Sequence, residues 1–361
     1  MSKNQSRTIH VAAAAFGLGL LAYLVCRTGP GVLIKQMEEV GWGMGVIILL
    51  AGVSHVLKTC AWRFTSSELR HVQFSRTFAL RLISEAVGQL GLAGQFAGDT
   101  LRVALIGPGV TLPGSISSVT LDRGIFTLSA AVLSIAGIIA AFVLFPVSAP
   151  LRWYALSFAF ALLCIVVLTV LAVVARWPVF SGLAQLATRV PRLRKWLQGK
   201  EQVIDSAEQK LFDFHHDRPA AFWTSVMLNG VCQVLAVLEV YLLLHFLHAP
   251  IGFLGAFIME ACVKMLSAVG AVNPGNVGTY EGGHVLITKL FGVTSVTGLA
   301  LGVCRRLRAL FWAGVGAACL AGISKSSKHR TLNPAASENS SPTPQHLSFS
   351  RVPQSGSEEL A

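Results

Sequence analysis

The stretch Ala271–Gly283 reads AVNPGNVGTYEGG, and its reading decides the fold. It lies between apolar runs. Pro274 nevertheless lacks a backbone donor, and Gly275, Gly278, Gly282 and Gly283 permit positive φ and close backbone approach. Asn273 and Glu281 add polar side chains to the same stretch. Inside a bilayer, backbone outside a helix is tolerated only against protein or a wet cavity. Two readings stay open: a solvated turn between helices, or a membrane-embedded hairpin tip lining a substrate cavity. The apolar flanks favour the second.

Working outward, the chain has 361 residues, 53% hydrophobic and only 13% charged. A soluble domain carries roughly a quarter charged residues. The apolar runs 9–26, 40–57, 124–145, 151–175, 220–246 and 294–322 approach the length of about 20 residues that spans a bilayer. The expected fold is therefore an all-α polytopic membrane protein. It has about six full spans and two re-entrant broken segments, 82–106 and 251–291.

The net charge of +12 reads as positive-inside bias and contact with anionic lipid, not as a nucleic-acid footprint. Lys58, Arg63, Arg70, Arg76 and Arg81 against Glu68 alone assign that loop to the cytoplasm, and both termini with it. Residues 1–39 read as an N-terminal helix and linker, 40–330 as the transmembrane domain, and 331–361 as a disordered tail. The basic insertion 176–218 is expected in the cytoplasm. Val203, Ile204, Leu211 and Phe214 fall near helical spacing there. That pattern fits either an amphipathic helix resting on anionic headgroups or a solvated linker.

The spans and broken segments group into two units. One is 40–57, 82–106 and 124–145; the other is 220–246, 251–291 and 294–322. Each broken segment carries Glu-Ala near its start (Glu85-Ala86, Glu260-Ala261) and Gly-Val-Thr after its end (Gly109 to Thr111, Gly292 to Thr294). The units run in opposite senses, the layout of inverted-repeat transporters with unwound helices near the midplane.

Charges lie where charges are expensive: Glu85, Asp99, Arg102, Asp122 and Arg123 in the first unit, and Glu239, Glu260, Lys264, Glu281, Arg305, Arg306 and Arg308 in the second. A mid-helix charge costs about 2.5–3.5 kcal/mol on insertion scales, so these side chains must pair, face inward or border water. They read either as structural ion pairs or as a site for an anionic headgroup, because arginine forks match phosphate. The seven cysteines are scattered without a CxxC pair, and the histidines form no metal-ligand spacing. No catalytic constellation, metal site or cofactor motif is expected, although Glu281 and His284 are spaced as a conceivable acid/base pair.

From about Val40 to Gly322 the sequence resembles the flippase-like transmembrane domain of lysylphosphatidylglycerol synthases, whose relatives include a subgroup associated with hopanoid lipids. Pro274, Gly275, Gly278 and Glu281 match a Pro-Gly-x-x-Gly-x-x-Glu motif of that family. Gly98, Asp99 and Arg102 resemble its Gly-Asp/Glu-x-x-Arg motif, and Asp122-Arg123 a third signature. Asn276-Val277 and Thr279-Tyr280 depart from the pattern. Only 331–361 follows the last span, with no room for an aminoacyl-transferase domain. The resemblance implies translocation of a polar-headed lipid, phospholipid or hopanoid, between leaflets of a bacterial inner membrane. Membrane lipids, and lipid-biosynthesis enzymes, are then the expected partners. A headgroup-modifying enzyme and a scaffold for lipid synthesis are the alternatives.

Overall fold

The computed structural model describes residues 38–89, 92–107, 109–144, 149–187, 201–269 and 279–332, with the single positions 31, 35 and 189. The expected first span at 9–26, the tail from 333 onward and the tip 271–278 lie outside the described residues. Among those described there is no strand.

Among the described residues, four helices are long and apolar enough to cross a membrane: α1 (Gly43–Phe64), α4 (Leu112–Leu144), α5 (Ala149–Val174) and α8 (Pro219–Phe246). Pro219 opens α8, where a missing N–H is no loss. The protein is an all-α polytopic membrane protein. The long α11 (Ser295–Leu332) closes the described chain; the molecule divides at Leu320, and the part from Ala321 onward forms a separate unit.

Between α1 and α4 lie α2 (Phe74–Gly88) and α3 (Leu92–Leu105). At 1.5 Å per residue each arm is about 22 Å long, short of the roughly 30 Å hydrocarbon core. The arms run back to back: Arg76 Nη2 donates to the Leu105 carbonyl at 3.1 Å, joining the start of one to the end of the other. Further up, a Cβ on Gly98 would fall 2.4 Å from the Ser84 carbonyl oxygen, so the arms approach as closely as glycine allows. The second pair, α9 (Phe253–Val269) and α10 (Thr279–Leu290), is built alike: Gly255 near the start of α9 lies beside the ring of Phe291 just past α10. Both broken segments are thus helical hairpins whose open ends sit together.

Each hairpin docks on the long helix of the other unit. A Cβ on Gly137 of α4 would lie 2.1 Å from the Cβ of Ala261 on α9. One on Gly316 of α11 would lie 2.3 Å from the Leu82 carbonyl oxygen and 3.2 Å from the Ala86 Cβ on α2. Lipid supplies no hydrophobic drive between helices, so close backbone approach over small residues is what binds them. The two alanines are those of the repeated Glu-Ala pairs. A shared apolar core of Ile47, Val240, Leu243, Met259 and Leu301 joins α1, α8, α9 and α11.

The element bounds correct the sequence reading in two places. Helix α2 begins at Phe74, so Arg76 and Arg81, counted as loop charges, belong to the hairpin. Helix α4 begins at Leu112, so Asp122-Arg123 sit well inside it instead of opening it.

The insertion folds as α6 (Val179–Ala187) and α7 (Glu201–Asp217). Part of the apolar face of α7 packs on the protein itself: Leu211, Phe212 and Phe214 are buried, Phe214 against Ile125 and Ala221, while Val203 and Ile204 are half-buried. Lys210 pairs with Glu68 at 2.7 Å, and Arg176 with Asp213 at 3.0 Å. The Ser181 backbone N–H, in the first turn of α6, donates to Glu208 at 3.1 Å.

Candidate functional site

The intramembrane charges gather into two knots. In the first, Asp122 of α4 stands between two guanidiniums, Arg81 Nη1 at 3.0 Å and Arg102 Nη2 at 2.9 Å. All three side chains are less than a tenth exposed. Arg81 also donates to the Lys58 carbonyl at 3.0 Å. Arg102 lies with its guanidinium carbon 4.0 Å from the centroid of the Trp62 ring, a cation–π seat that replaces lost hydration. Asp99 completes the group. It accepts Nε and Nη2 of Arg123, both at 3.0 Å, and meets Arg102 Nη1 at 3.5 Å. Asp99 and Arg102 are three apart on α3 and share a face, while Gly98 before them lets α3 press against α2.

The second knot lies between α8, α9 and α11. Arg305 reaches Glu239 at 3.2 Å with Nε and Glu260 at 2.8 Å with Nη1. Lys264 pairs with Glu260 at 2.9 Å, one turn along α9, and Arg308 pairs with Glu239. Burial of such charges is costly without good partners, and here each carboxylate holds two cations.

Of the residues expected at the site, Asp99, Arg102, Asp122 and Arg123 therefore meet in one place, and Glu260, Lys264, Arg305 and Arg308 in another. Glu85 belongs to neither: half-buried on α2, its electrostatic neighbours include His55 and Lys58 of α1. Arg306 follows Arg305 on α11, half-buried. Asn273, Pro274, Gly275 and Gly278 lie outside the described residues. Glu281 is the third residue of α10, and its side chain also lies outside them.

Sequence reasoning missed Arg81 and Lys58 as interior groups. The apolar residues Leu80, Leu82 and Ile83 around Arg81 were the available signal that this arginine faces a helix bundle and not water. Among the described residues no cluster of metal-ligating side chains is present.

The chain matches the family model described as Lysylphosphatidylglycerol synthase TM region over residues 10–316. No curated protein and no solved structure matches. The matched span takes in both hairpins and both knots, and on it the chain belongs to the lysylphosphatidylglycerol synthase transmembrane-region family, a membrane protein related to lipid metabolism.

Proposed function

We propose that this protein moves a polar-headed lipid, of phospholipid or hopanoid type, between the leaflets of a bacterial inner membrane, without enzymatic chemistry or a cofactor. The observation that carries this reading is the pair of short hairpins, each docked on the long helix of the opposite unit beside a buried knot of charge. Discontinuous helices meeting between repeats make a polar path within lipid and permit rocking of one unit against the other. Both termini are then cytoplasmic, membrane lipids are the ligands, and lipid-biosynthesis enzymes are the proteins that would hand them over. The enzymatic alternative gains little, because His284 is wholly buried in α10 where a general acid or base would not meet a substrate.

The test is leaflet exchange by the purified protein in liposomes. A fluorescent lipid in the inner leaflet is expected to become accessible to an external quencher faster than in protein-free vesicles. Exchange no faster than in those vesicles, across several headgroup classes, would overturn the reading; conversion to a new headgroup species would replace it with the enzymatic one.

A further inference from the structure

The arginines of both knots are held by carboxylates, which leaves open which cation meets an incoming headgroup. Lys58 has a different setting. It lies within α1, makes no ion pair among the described residues, and its ammonium sits 4.9 Å from the centroid of the Phe126 ring on α4. Glu85 and Arg81 of α2 and Arg308 of α11 are among its electrostatic neighbours.

The surroundings are polar and incompletely satisfied. His55 is 7% exposed, Asn229 0% and Gln233 4%, yet His55 Nδ1, Asn229 Oδ1 and Gln233 Oε1 have no hydrogen-bond partner among the described residues. The α1–α8 register places them. Ser225 donates to the Ala61 carbonyl at 3.2 Å and the Cys232 thiol to the Ser54 carbonyl at 3.8 Å, so Asn229 stands opposite Leu57–Lys58. Gln233 donates to the Phe126 carbonyl at 3.5 Å, the residue whose ring carries the Lys58 ammonium. Buried polar atoms without partners are costly, and the two amide oxygens accept only, so ordered water or another donor is expected beside them.

This polar patch also lies between the two knots. The backbone of Lys58 touches the first through Arg81, and His55 has Arg308 of the second as an electrostatic neighbour.

We propose that Lys58 is the contact for an oxyanion, the phosphate or carboxylate of a lipid headgroup or a free anion of the same chemistry, beside the buried polar side chains of His55, Asn229 and Gln233. Resting on the reading of the protein as a lipid translocator, this assigns the midpoint of the path to a lysine instead of to the arginines. An ammonium on an aromatic face keeps a favourable seat when empty and gives up no carboxylate when an anion arrives. Glu85 supplies the countercharge of the empty site. Waters or hydroxyls that come with the anion satisfy the two amide carbonyls.

The experiment measures binding, independently of transport. Wild type, Lys58→Met and Lys58→Arg are placed in nanodiscs of zwitterionic lipid, with and without an anionic glycerophospholipid, and separately titrated with inorganic phosphate. Lipid retention is read by native mass spectrometry and stabilisation by melting temperature. Wild type is expected to retain the anionic lipid, Lys58→Met to retain it roughly tenfold less, as loss of one charge-assisted hydrogen bond gives, and Lys58→Arg to recover most of it. A response to phosphate alone, lost in Lys58→Met, supports the oxyanion site with a free anion as its ligand. Equal retention and equal phosphate response in wild type and in a folded Lys58→Met overturn it. Because Lys58→Met leaves Glu85 without its countercharge, the double variant Lys58→Met with Glu85→Gln is measured beside it, and wild-type retention and phosphate response in that variant overturn the proposal as well. Lys58-dependent retention in a protein that shows no leaflet exchange would leave this site standing while the translocator reading falls.

Discussion

Replacing Asp122 with alanine is expected to destabilise the protein far more than the same change at Asp99, although both carboxylates hold two arginines. Asp122, Arg102 and Arg81 have side chains 2%, 3% and 9% exposed. Stranding a buried ionic partner costs about 3–5 kcal/mol. Here Arg81 keeps the Lys58 carbonyl and Arg102 keeps the Trp62 ring and a long contact to Asp99, so the lower end, about 3 kcal/mol, applies. At about 2–4 °C per kcal/mol for a larger chain, that is a fall of roughly 6–12 °C in melting temperature. Arg123, the main partner of Asp99, is 41% exposed, and solvent screens what it loses. Asp99→Ala should therefore cost about 1 kcal/mol or less, roughly 2–4 °C. Tryptophan fluorescence during thermal unfolding in detergent reads both. Simultaneous Arg81→Met, Arg102→Met and Asp122→Leu should restore most of the loss, since a well-packed apolar set often equals a buried ionic one. Equal shifts for the two single variants would refute the reasoning, because burial and not the number of pairs is what separates them.

Arg305→Gln, which leaves both Glu239 and Glu260 short of a cation, is expected to lower abundance and melting temperature more than Arg308→Gln, which leaves Glu239 with Arg305; quantified membrane expression compares them. If transport fails in Arg305→Gln at normal abundance, the arginine contacts substrate instead. Gly98→Val should push α3 off α2, because its Cβ meets the Ser84 carbonyl oxygen at 2.4 Å, and protease cleavage between residues 89 and 92 should rise. At the insertion, burial raises the Glu68 carboxyl, but hydrogen bonds from Lys210 and Thr111 outweigh it and hold the group below the usual carboxylate range. A depressed folded value stabilises above the unfolded one, near pH 4.3, and that contribution is lost as pH falls through the folded value. Hydrogen exchange in α7 should thus rise on acidification below about pH 4, a response that Glu68→Gln should lack.

How much of this was legible in the sequence depended on the range of the interaction. Four of the spans could be read because twenty apolar residues have one use, and Asp99 with Arg102 could be read because three residues apart is one helix face. The start of α4 could not. Ser115, Ser117 and Ser118 look like loop, yet they are buried, and Ser118 accepts the Trp62 indole N–H from another helix. Arg81 was misplaced for the same reason: its carboxylate is 41 positions away, and counting the sign of charges cannot see a partner at that distance. In α7 the apolar spacing was visible, but the surface it covers was not, since headgroups and helix ends present the same need. The repeated Glu-Ala pairs were the faintest signal in the sequence, and their alanines turned out to mark where each hairpin seats on the other unit.

Helix α5 makes almost no buried contact, lying along α4 with most of its side chains exposed. Its worth is arithmetical. Within a unit, α1 crosses, the hairpin does not, and α4 crosses back, so the chain leaves the unit on the side where it came in. Without one more crossing the second unit would thread in the same sense as the first, and both hairpins would open toward the same side. A single additional traverse reverses everything downstream of it. The demands on α5 are then length and oiliness alone: a foreign apolar helix should serve in its place, whereas its deletion would turn two opposed halves into two parallel ones.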